Sequence, residues 1–370
     1  MDKTDTPLGA VIQQKIAAAG PLRFREFMAL CLYHPRHGYY TSPASPFGAA
    51  GDFVTAPELG PLFGRALARG LWPLIDSFGH YEIVEIGAGS GRLARDLIRA
   101  LAAAGRLPVR YRIDEISPAL RRRQAELFAG LPAELRSRIA WEGGGAVSDL
   151  PHLVIANEVL DALPVSRVVR RGAAWLELGV VLAGDRFAWC ELSPDPATAE
   201  RLAALDAAVD FDWPDGYLSE VHPAIAPALA QWTAGWRPGA LILVDYGYPR
   251  REFYLPERAM GTLLCHRRHR VHDDALYAPG AQDLTAFVDF TTVAEAATVL
   301  GLEVLAYTSQ AEFLLAAGIL DELAADAERP AEARRLLLPG EMGERFQVMA
   351  LGREIDPALL PPAADWRHRL

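Results

Sequence analysis

The sequence has 370 residues, of which 51% are hydrophobic and 23% are charged, and its formal net charge at pH 7 is −10. This length exceeds one average domain, and the composition supports a large buried core. The acidic balance disfavours a general nucleic-acid binder, because contacts to phosphates need a basic surface, but it suits a basic protein partner.

Cysteine usage and hydropathy suggest a cellular location. Cys31, Cys190 and Cys265 are too few and too scattered for a disulfide framework or a zinc site, so a reducing compartment is expected. No apolar run approaches the roughly 18 residues of a membrane span. The first residues include two aspartates and resemble neither a signal peptide nor an Arg-rich transit peptide. We therefore expect a cytoplasmic protein without a membrane span.

After two helical patterns, the chain enters a long segment, Tyr33–Glu58, that is rich in Gly, Pro, Ser and aromatic residues. An irregular segment of this length is usually either functional or disordered, and its rings argue against plain disorder. Asp52, Thr55 and Glu58 are candidates to close over one end of a bound ligand; a structural Ω-loop is the alternative. We expect residues 1–78 to form a helical and loop extension that caps the ligand site.

The strongest local signal is YEIVEIGAGSGRLARD, Tyr81–Asp96. It combines a buried strand, an acid near the strand's end (Glu85), three glycines at alternate positions (Gly87, Gly89 and Gly91) and the start of a helix. Glycines permit a tight turn with positive φ and let a ligand approach the backbone closely. Open α/β sheets bind ligands at the carboxyl ends of their strands, next to such turns.

The glycine spacing selects among ligands. A dinucleotide fingerprint needs a glycine where Arg92 stands, which disfavours an NAD-dependent oxidoreductase. An acid followed by G-x-G-x-G resembles motif I of the class I S-adenosylmethionine (SAM) methyltransferases. SAM has no phosphate but carries an ammonium, a sulfonium and a ribose diol, groups that suit a carboxylate such as Glu85. A glycine-rich turn that binds nothing is the alternative.

A second acid follows the next predicted strand, Val109–Ile116. Glu115 lies at the end of this strand, and its two oxygens can accept hydrogen bonds from both hydroxyls of a ribose diol. An ordinary surface acid at a strand end is the alternative. Two further strands are predicted at Ile139–Trp141 and His152–Ala156.

The second half of the chain alternates between predicted insertions and a returning sheet. Residues 165–235 begin as an antiparallel meander and continue as helices, the last at about Ser219–Ala234. Gly239–Tyr248 is predicted to be a buried strand, residues 250–290 are irregular, and two more strands close the sheet. We expect residues 79–370 to form an α/β domain with a doubly wound, Rossmann-like sheet, interrupted by insertions at about 165–235 and 250–290.

Three histidines, His266, His269 and His272, are interleaved with arginines. The arginines would repel a cation and no acid lies between them, so no metal site is predicted. A basic segment that pairs with acidic groups is the favoured interpretation.

Several blocks, in order along most of the chain, resemble one family, the MidA-like methyltransferases. These are bacterial and organellar relatives of the mitochondrial complex I assembly factor that methylates a protein arginine. The blocks are GDFVTAPELGPLFGRALA (Gly51–Ala68), VEIGAGSGRLARDL (Val84–Leu97), ISPALRRRQ (Ile116–Gln124), NEVLDALPV (Asn157–Val165), LVDYGY (Leu243–Tyr248), GTLLCHRRHRVHDD (Gly261–Asp274) and PGAQDLTAFVDFT (Pro279–Thr291). The family usually has a histidine where Phe287 stands and a proline near Ala88; neither departure removes a carboxylate of the predicted site.

This resemblance implies a SAM-dependent methyltransferase of class I fold that acts on a protein arginine. It also implies a protein substrate, with a respiratory complex subunit as one target, and is compatible with an oligomer. Gln282 and Asp283 enter as site candidates from the last block. A non-catalytic SAM-binding assembly or scaffold protein is the alternative function.

The predicted catalytic residues follow the fourth strand. Glu158 and Asp161 are three residues apart, so in a helical turn both carboxylates would point the same way. Paired carboxylates hold a guanidinium well. Asn157 can orient the target nitrogen, although it could instead cap a helix. Asp245 ends a buried strand facing the same cleft, where an acid is costly unless paired or functional.

Overall fold

The computed structural model describes residues 6–42, 54–142, 148–236 and 238–370. The α-helices are α1 (Pro7–Ala19), α2 (Phe24–Tyr33), α3 (Ala56–Leu59), α4 (Leu62–Gly70), α5 (Trp72–Phe78), α6 (Arg92–Ala103), α7 (Pro118–Phe128), α8 (Ala133–Arg136), α9 (Pro196–Ala208), α10 (Ile225–Trp232), α11 (Arg250–Phe253), α12 (Phe290–Val299), α13 (Gln310–Ala316), α14 (Ile319–Ala325), α15 (Pro330–Leu337) and α16 (Met342–Arg345). Short 3-10 turns occupy Pro256–Arg258, Pro357–Leu359 and Arg367–Arg369.

The strands are β1 (Leu22–Arg23), β2 (Glu82–Ile86), β3 (Arg110–Asp114), β4 (Ile139–Trp141), β5 (His152–Asn157), β6 (Ser166–Arg171), β7 (Ala174–Ala183), β8 (Arg186–Leu192), β9 (Leu218–Val221), β10 (Gly239–Tyr248), β11 (Leu264–Arg267), β12 (Arg270–His272), β13 (Asp283–Thr285), β14 (Val288–Asp289), β15 (Glu303–Ser309) and β16 (Phe346–Arg353). Among the described residues, no helix is long and apolar enough to cross a membrane.

The chain forms two compact units, each assembled from separate segments. Unit 1 comprises the described residues of Met1–Phe53, Leu160–Pro227 and Tyr248–Val293, and unit 2 comprises those of Val54–Val159, Ala228–Gly247 and Ala294–Leu370. The division expected from the sequence, a capping extension at 1–78 and a main domain at 79–370, stays a prediction. Residues 54–78 belong to unit 2.

Unit 2 is built on seven hydrogen-bonded strands of an eight-stranded sheet, in the order β4-β3-β2-β5-β10-β16-β15. The pairs from β4 to β10 are parallel, whereas β16 runs antiparallel to both β10 and β15. Counted along the chain, this order is 3-2-1-4-5-7-6, so the connections reverse direction between β2 and β5. A reversal of this kind opens a crevice at the carboxyl ends of the strands, which is the usual ligand position in open α/β sheets.

The burial of the central strands of this sheet explains their apolar sequences. All five residues of β2 are buried, and the first seven residues of β10 are buried as well. A parallel strand covered on both faces is apolar almost continuously, as ILV within Gly239–Tyr248 illustrates. Leu93, Leu97 and Leu101 of α6 pack with Ile83 of β2 in the main apolar core of this unit.

Unit 1 contains the two smaller sheets. A five-stranded antiparallel sheet joins β1, β7, β6 and β9 in that order, with β8 also paired to β7. The meander expected at the start of residues 165–235 is therefore present as β6, β7 and β8. A three-stranded sheet has the order β12-β11-β13, so residues 250–290, expected to be irregular, contain short strands.

The expected helix at about Ser219–Ala234 is wrong in its first part. Leu218–Val221 forms β9 and pairs antiparallel with β6, and α10 begins only at Ile225. Glu220, which is fully buried, accepts hydrogen bonds from the backbone and hydroxyl of Thr262. This tertiary pairing outweighs the weak helical pattern, and Pro223 disfavours a helical conformation in the residue before it.

Candidate functional site

The turn after β2 is made of three glycines with left-handed backbone. Their φ angles are 62° at Gly87, 53° at Gly89 and 82° at Gly91. Gly91 lies directly before α6, and a Cβ atom there would come within 3.0 Å of the side chains of Gln124 and Phe128. The glycine is therefore required by the packing of α7 as well as by the turn itself.

Glu85, at the end of β2, is buried beneath this turn. The hydroxyl of Tyr111 on β3 donates a 2.6 Å hydrogen bond to its Oε2 atom. Burial raises the pKa of the Glu85 carboxyl to about 7, and the neighbouring charge of Glu115 adds to this, while the hydrogen bond from Tyr111 opposes it. The site thus holds a carboxyl whose charge changes near neutral pH and responds to a nearby cation.

Glu115 belongs to a hydrogen-bonded network that reaches the glycine turn. The amide nitrogen of Gln124 donates to the Gly89 carbonyl at 2.8 Å and to Oε2 of Glu115 at 3.3 Å. The backbone N–H of Ser117 donates to Oε1 of Glu115 at 2.9 Å, and Trp141 donates to Oε1 of Gln124 at 2.6 Å. The backbone of Gly89 also bonds to this carboxylate, which can accept about four hydrogen bonds, so acceptor capacity for a ligand hydroxyl remains.

The residues predicted from the long aromatic segment fall into two groups. Glu58 accepts a hydrogen bond from the Ser90 hydroxyl, and its Oε2 lies 3.3 Å from Nε of Arg92. Glu58, which lies on α3, therefore stabilises the glycine turn. Thr55 is buried directly before α3. Asp52 lies outside the described residues.

The loop after β5 is not a helical turn. Residues 158–165, all of them described, contain no helix, so the condition under which Glu158 and Asp161 would point the same way is not met, and the capping alternative for Asn157 is wrong. Glu158 instead has a left-handed φ of 54°. Its Oε1 accepts from Nδ2 of Asn157 at 3.2 Å and from the backbone N–H of Ala56 at 3.3 Å. Two donors thus orient this carboxylate.

Asp245, near the end of β10, is buried and bonds to that same loop. The backbone N–H of Val159 donates to its Oδ2 at 3.1 Å, and the N–H of Tyr246 donates to Oδ1 at 2.9 Å. Asp245 thereby fixes the backbone that follows Glu158. The cost of burying an acid is offset in part by these two donors.

The remaining predicted residues lie in unit 1. Asp161 is buried, and its carbonyl accepts from the N–H of Ala286 at 3.0 Å. Glu158 and Asp161 thus belong to different units. Asp283 is buried on β13, while the amide of Gln282 donates to the carbonyls of Asp274 and Ala275.

The histidine segment forms a hairpin, with His266 on β11, His272 on β12 and His269 in the turn between them. Across the described part of the chain, no three His, Cys, Asp or Glu side chains are grouped to hold a metal ion.

Sequence reasoning missed the residues that organise the site rather than line it. Tyr111 and Gln124 reach Glu85, Glu115 and the glycine turn from neighbouring elements. No motif marks Tyr111, and the block Ile116–Gln124 contains Gln124 without indicating its role, because both roles depend on which strand and helix pack beside β2. The indole of Trp141, by contrast, stands out in sequence as a large side chain at a strand end.

Comparison with known proteins agrees with this geometry. Residues 65–308 match the family described as “Putative S-adenosyl-L-methionine-dependent methyltransferase”. A structure from Burkholderia thailandensis, described as a “likely methyl transferase” bound to S-adenosyl-homocysteine, is 38% identical with a TM-score of 0.89 and matches 98% of this chain and 96% of that one. Protein arginine methyltransferase NDUFAF7, mitochondrial, from Xenopus tropicalis is 29% identical over 96% of this chain and 88% of its own length. The Homo sapiens protein of the same name is 28% identical over 94% and 83%.

The fold and the glycine-carboxylate site define a class I methyltransferase. The chain belongs to the family of S-adenosyl-L-methionine-dependent methyltransferases, and SAM is its cofactor. The α/β fold class and the enzymatic function expected from the sequence are thus confirmed. The expected cytoplasmic location is wrong by the same comparison, since the curated relatives are named as mitochondrial proteins.

Proposed function

We propose that this methyltransferase modifies an arginine side chain of a protein. The curated relatives named protein arginine methyltransferases support this substrate class. Within the chain, the supporting observation is Glu158, a carboxylate held by two donors on a left-handed backbone. Such a conformation costs on the order of 1–3 kcal/mol in a non-glycine residue and is retained mainly where function requires it.

Unit 2 supplies the residues proposed to hold SAM, which when bound provides a methyl group on a sulfonium. Gly87, Gly89 and Gly91 allow close approach of the ligand to the backbone, and Glu85 faces its positive charge. Glu115 accepts from the ribose hydroxyls. Thr55, and Asp52 outside the described residues, remain proposed to close over the other end of the ligand, and Glu58 acts on the turn through Ser90 and Arg92.

The proposed catalytic residues are assigned from the chemistry of guanidinium. A methylated guanidinium keeps its single positive charge, so one proton must leave the attacking nitrogen as the new bond forms. Glu158 is proposed to accept that proton, and Asn157 keeps its carboxylate oriented. Asp245 positions the loop through Val159, and Asp161 stays a predicted catalytic residue.

Replacing Glu158 by Gln tests this assignment, because the amide keeps the shape of the side chain but removes its charge and basicity. We expect methyl transfer to protein arginine to fall by about 10²–10⁴-fold, with SAM affinity near that of the wild type. Labelled methyl transfer, mass spectrometry for methylarginine and calorimetry with SAM measure the three quantities.

Glu191→Gln is a matched control, since Glu191 is an exposed acid of unit 1 that pairs with Arg171. It should leave both transfer and SAM affinity unchanged. Wild-type transfer by Glu158→Gln would contradict the proposed base, and loss of SAM binding would assign Glu158 to the cofactor pocket. A wild-type protein that binds SAM yet labels no protein would favour the scaffold alternative.

The target within the cell is proposed on family resemblance alone. The proposed substrate is a subunit of a respiratory complex, and no nucleic acid is proposed as a partner. Both a monomer and an oligomer are compatible with this proposal. Mapping methylarginine in proteins recovered with the enzyme tests the substrate, and sedimentation tests the oligomer.

A further inference from the structure

Unit 1 contains a group of polar side chains around Asp161, and the proposed catalytic residues include none of its other members. The hydroxyl of Tyr40, just beyond α2, donates a 2.9 Å hydrogen bond to Oδ1 of Asp283 on β13. Burial, followed by the charges of Asp283 and then Asp161, raises the pKa of the Tyr40 phenol well above its usual value. Both carboxylates therefore lie close enough to act on the same phenol.

Successive side chains of β13 point to opposite faces of the strand. Leu284 and Ala286 belong to the apolar core of unit 1, so Asp283 and Thr285 face the opposite side together. Asp283 is 1% exposed and Thr285 is 2% exposed. Among the described residues, Oγ1 of Thr285 has no hydrogen-bond partner. A buried hydroxyl without a partner is costly, and here it lies beside a carboxylate on the same strand face.

Aromatic rings border this group. Tyr33 and Tyr40 are stacked with ring centres 5.8 Å apart, and Tyr39 meets Tyr40 edge-on at 5.2 Å. The Tyr33 hydroxyl donates to the carbonyl of Ala162 at 2.8 Å, next to Asp161. The end of α2 is thus tied to both acid-bearing segments, which fixes the rings relative to the carboxylates.

We propose that Asp283, Thr285 and Asp161, bordered by Tyr40, form a binding site for a planar guanidinium cation and set the preference for arginine over lysine. This inference rests on the proposed arginine substrate and adds the residues that would recognise it. Tyr40 acts as a positioning residue through its hydrogen bond to Asp283.

The chemistry of the group suits guanidinium better than ammonium. Guanidinium is flat, carries five N–H donors in a fixed fork and stacks on aromatic rings. Two carboxylates and a hydroxyl supply acceptors in different directions, and tyrosine faces supply a stacking surface. Ammonium is compact and strongly hydrated, so it gains less from a dry, ring-lined site.

Two substitutions distinguish a role in binding the cation from a purely structural role. Asp283→Asn keeps an oxygen that can accept from Tyr40 but removes the charge. Thr285→Val keeps the shape and removes a hydroxyl that has no hydrogen-bond partner in the part of the chain that the structure describes. A merely structural role therefore predicts unchanged or higher stability and unchanged substrate binding. Asp289→Asn is the control, because Asp289 is an equally buried acid of unit 1 that pairs with Arg250 at 3.3 Å.

The experiment measures binding of two fluorescent peptides, glycine-flanked arginine and glycine-flanked lysine, to the full chain with S-adenosyl-homocysteine present. We expect the wild type to bind the arginine peptide about 10- to 100-fold more tightly than the lysine peptide. Asp283→Asn and Thr285→Val should each lose most of this preference, Thr285→Val without a lower melting temperature. Asp289→Asn should melt lower and keep the preference.

Methyl transfer to the same arginine peptide, measured in parallel, separates this inference from the proposed function. A preference that is lost in both variants, without any methylation by the wild type, supports the cation site and overturns arginine as the methyl acceptor. Methylation by the wild type with the preference retained in both variants overturns the cation site alone. No preference and no methylation in the wild type overturns both.

Discussion

At the scale of single residues, Glu85 links stability to pH. Its carboxyl has a pKa of about 7 in the folded chain, against 4.5 in an unfolded one. Between these values the native state holds a proton that the unfolded state has lost, so the free energy of unfolding decreases as pH rises through this range. At about 1.4 kcal/mol per pKa unit, the effect amounts to roughly 3 kcal/mol.

Glu85→Gln, which cannot ionise, should therefore flatten the pH dependence between pH 5 and 8 and stabilise the ligand-free protein at pH 8. Denaturant unfolding of both proteins at several pH values measures this, and the same slope in both would assign the pH dependence to another group.

The acids of the site could be read from the sequence, but their partners could not. Glu85 and Glu115 each end a run of β-type residues, which places them at the ligand edge of a parallel sheet. Tyr111 and Gln124, which hold them, are set by the strand order and by the packing of α7. Local patterns carry no information about contacts between elements that are distant in the chain.

At the scale of elements, the glycine turn depends on its contact with α7. Gly91→Ala would place a methyl group 3.0 Å from Gln124 and Phe128 in addition to forcing alanine into a left-handed conformation. Gly105 is a matched control, because its φ is 69° and, its chain neighbours aside, no described residue comes within 4 Å of a Cβ there. We expect Gly105→Ala to cost roughly 1–2 kcal/mol and Gly91→Ala a further ~1–3 kcal/mol.

Gly91→Ala should also weaken SAM binding, since Gln124 would move away from the Gly89 carbonyl. Calorimetry and thermal unfolding of the two variants measure these effects, and equal losses in both would mean that only backbone strain matters at Gly91.

Elements with a strong period were predicted well, and the three-residue strand β4 has the predicted bounds, but β9 was missed. The strand at Gly239–Tyr248 and the meander that begins the insertion have the apolar patterns that their burial requires. β9 has only four residues and takes its conformation from pairing with β6. The conformation of the loop at 158–165 could not be predicted, because the spacing of Glu158 and Asp161 does not reveal the left-handed backbone of Glu158.

At the scale of the whole molecule, the chain interleaves its two units. The described site residues assigned to SAM all lie in unit 2, whereas Asp161, Asp283, Thr285 and Tyr40 lie in unit 1. Sequence reasoning expected insertions at about 165–235 and 250–290 but did not anticipate that they group with the N-terminal helices. The cellular location could not be predicted from the sequence, because scattered cysteines indicate a reducing compartment without distinguishing one such compartment from another.

This distribution predicts that the two ligands protect different parts of the chain. S-adenosyl-homocysteine should raise the melting temperature, with about 2.7 kcal/mol of added stability at a concentration 100 times its Kd, while NAD should not. Hydrogen exchange should slow at Gly87–Gly91 and near Glu115 when S-adenosyl-homocysteine binds. An arginine peptide added afterwards should slow exchange around Tyr40 and Asp283–Thr285. Protection of the glycine turn by NAD would contradict the cofactor assignment, and a peptide that protects only unit 2 would contradict the role given to unit 1.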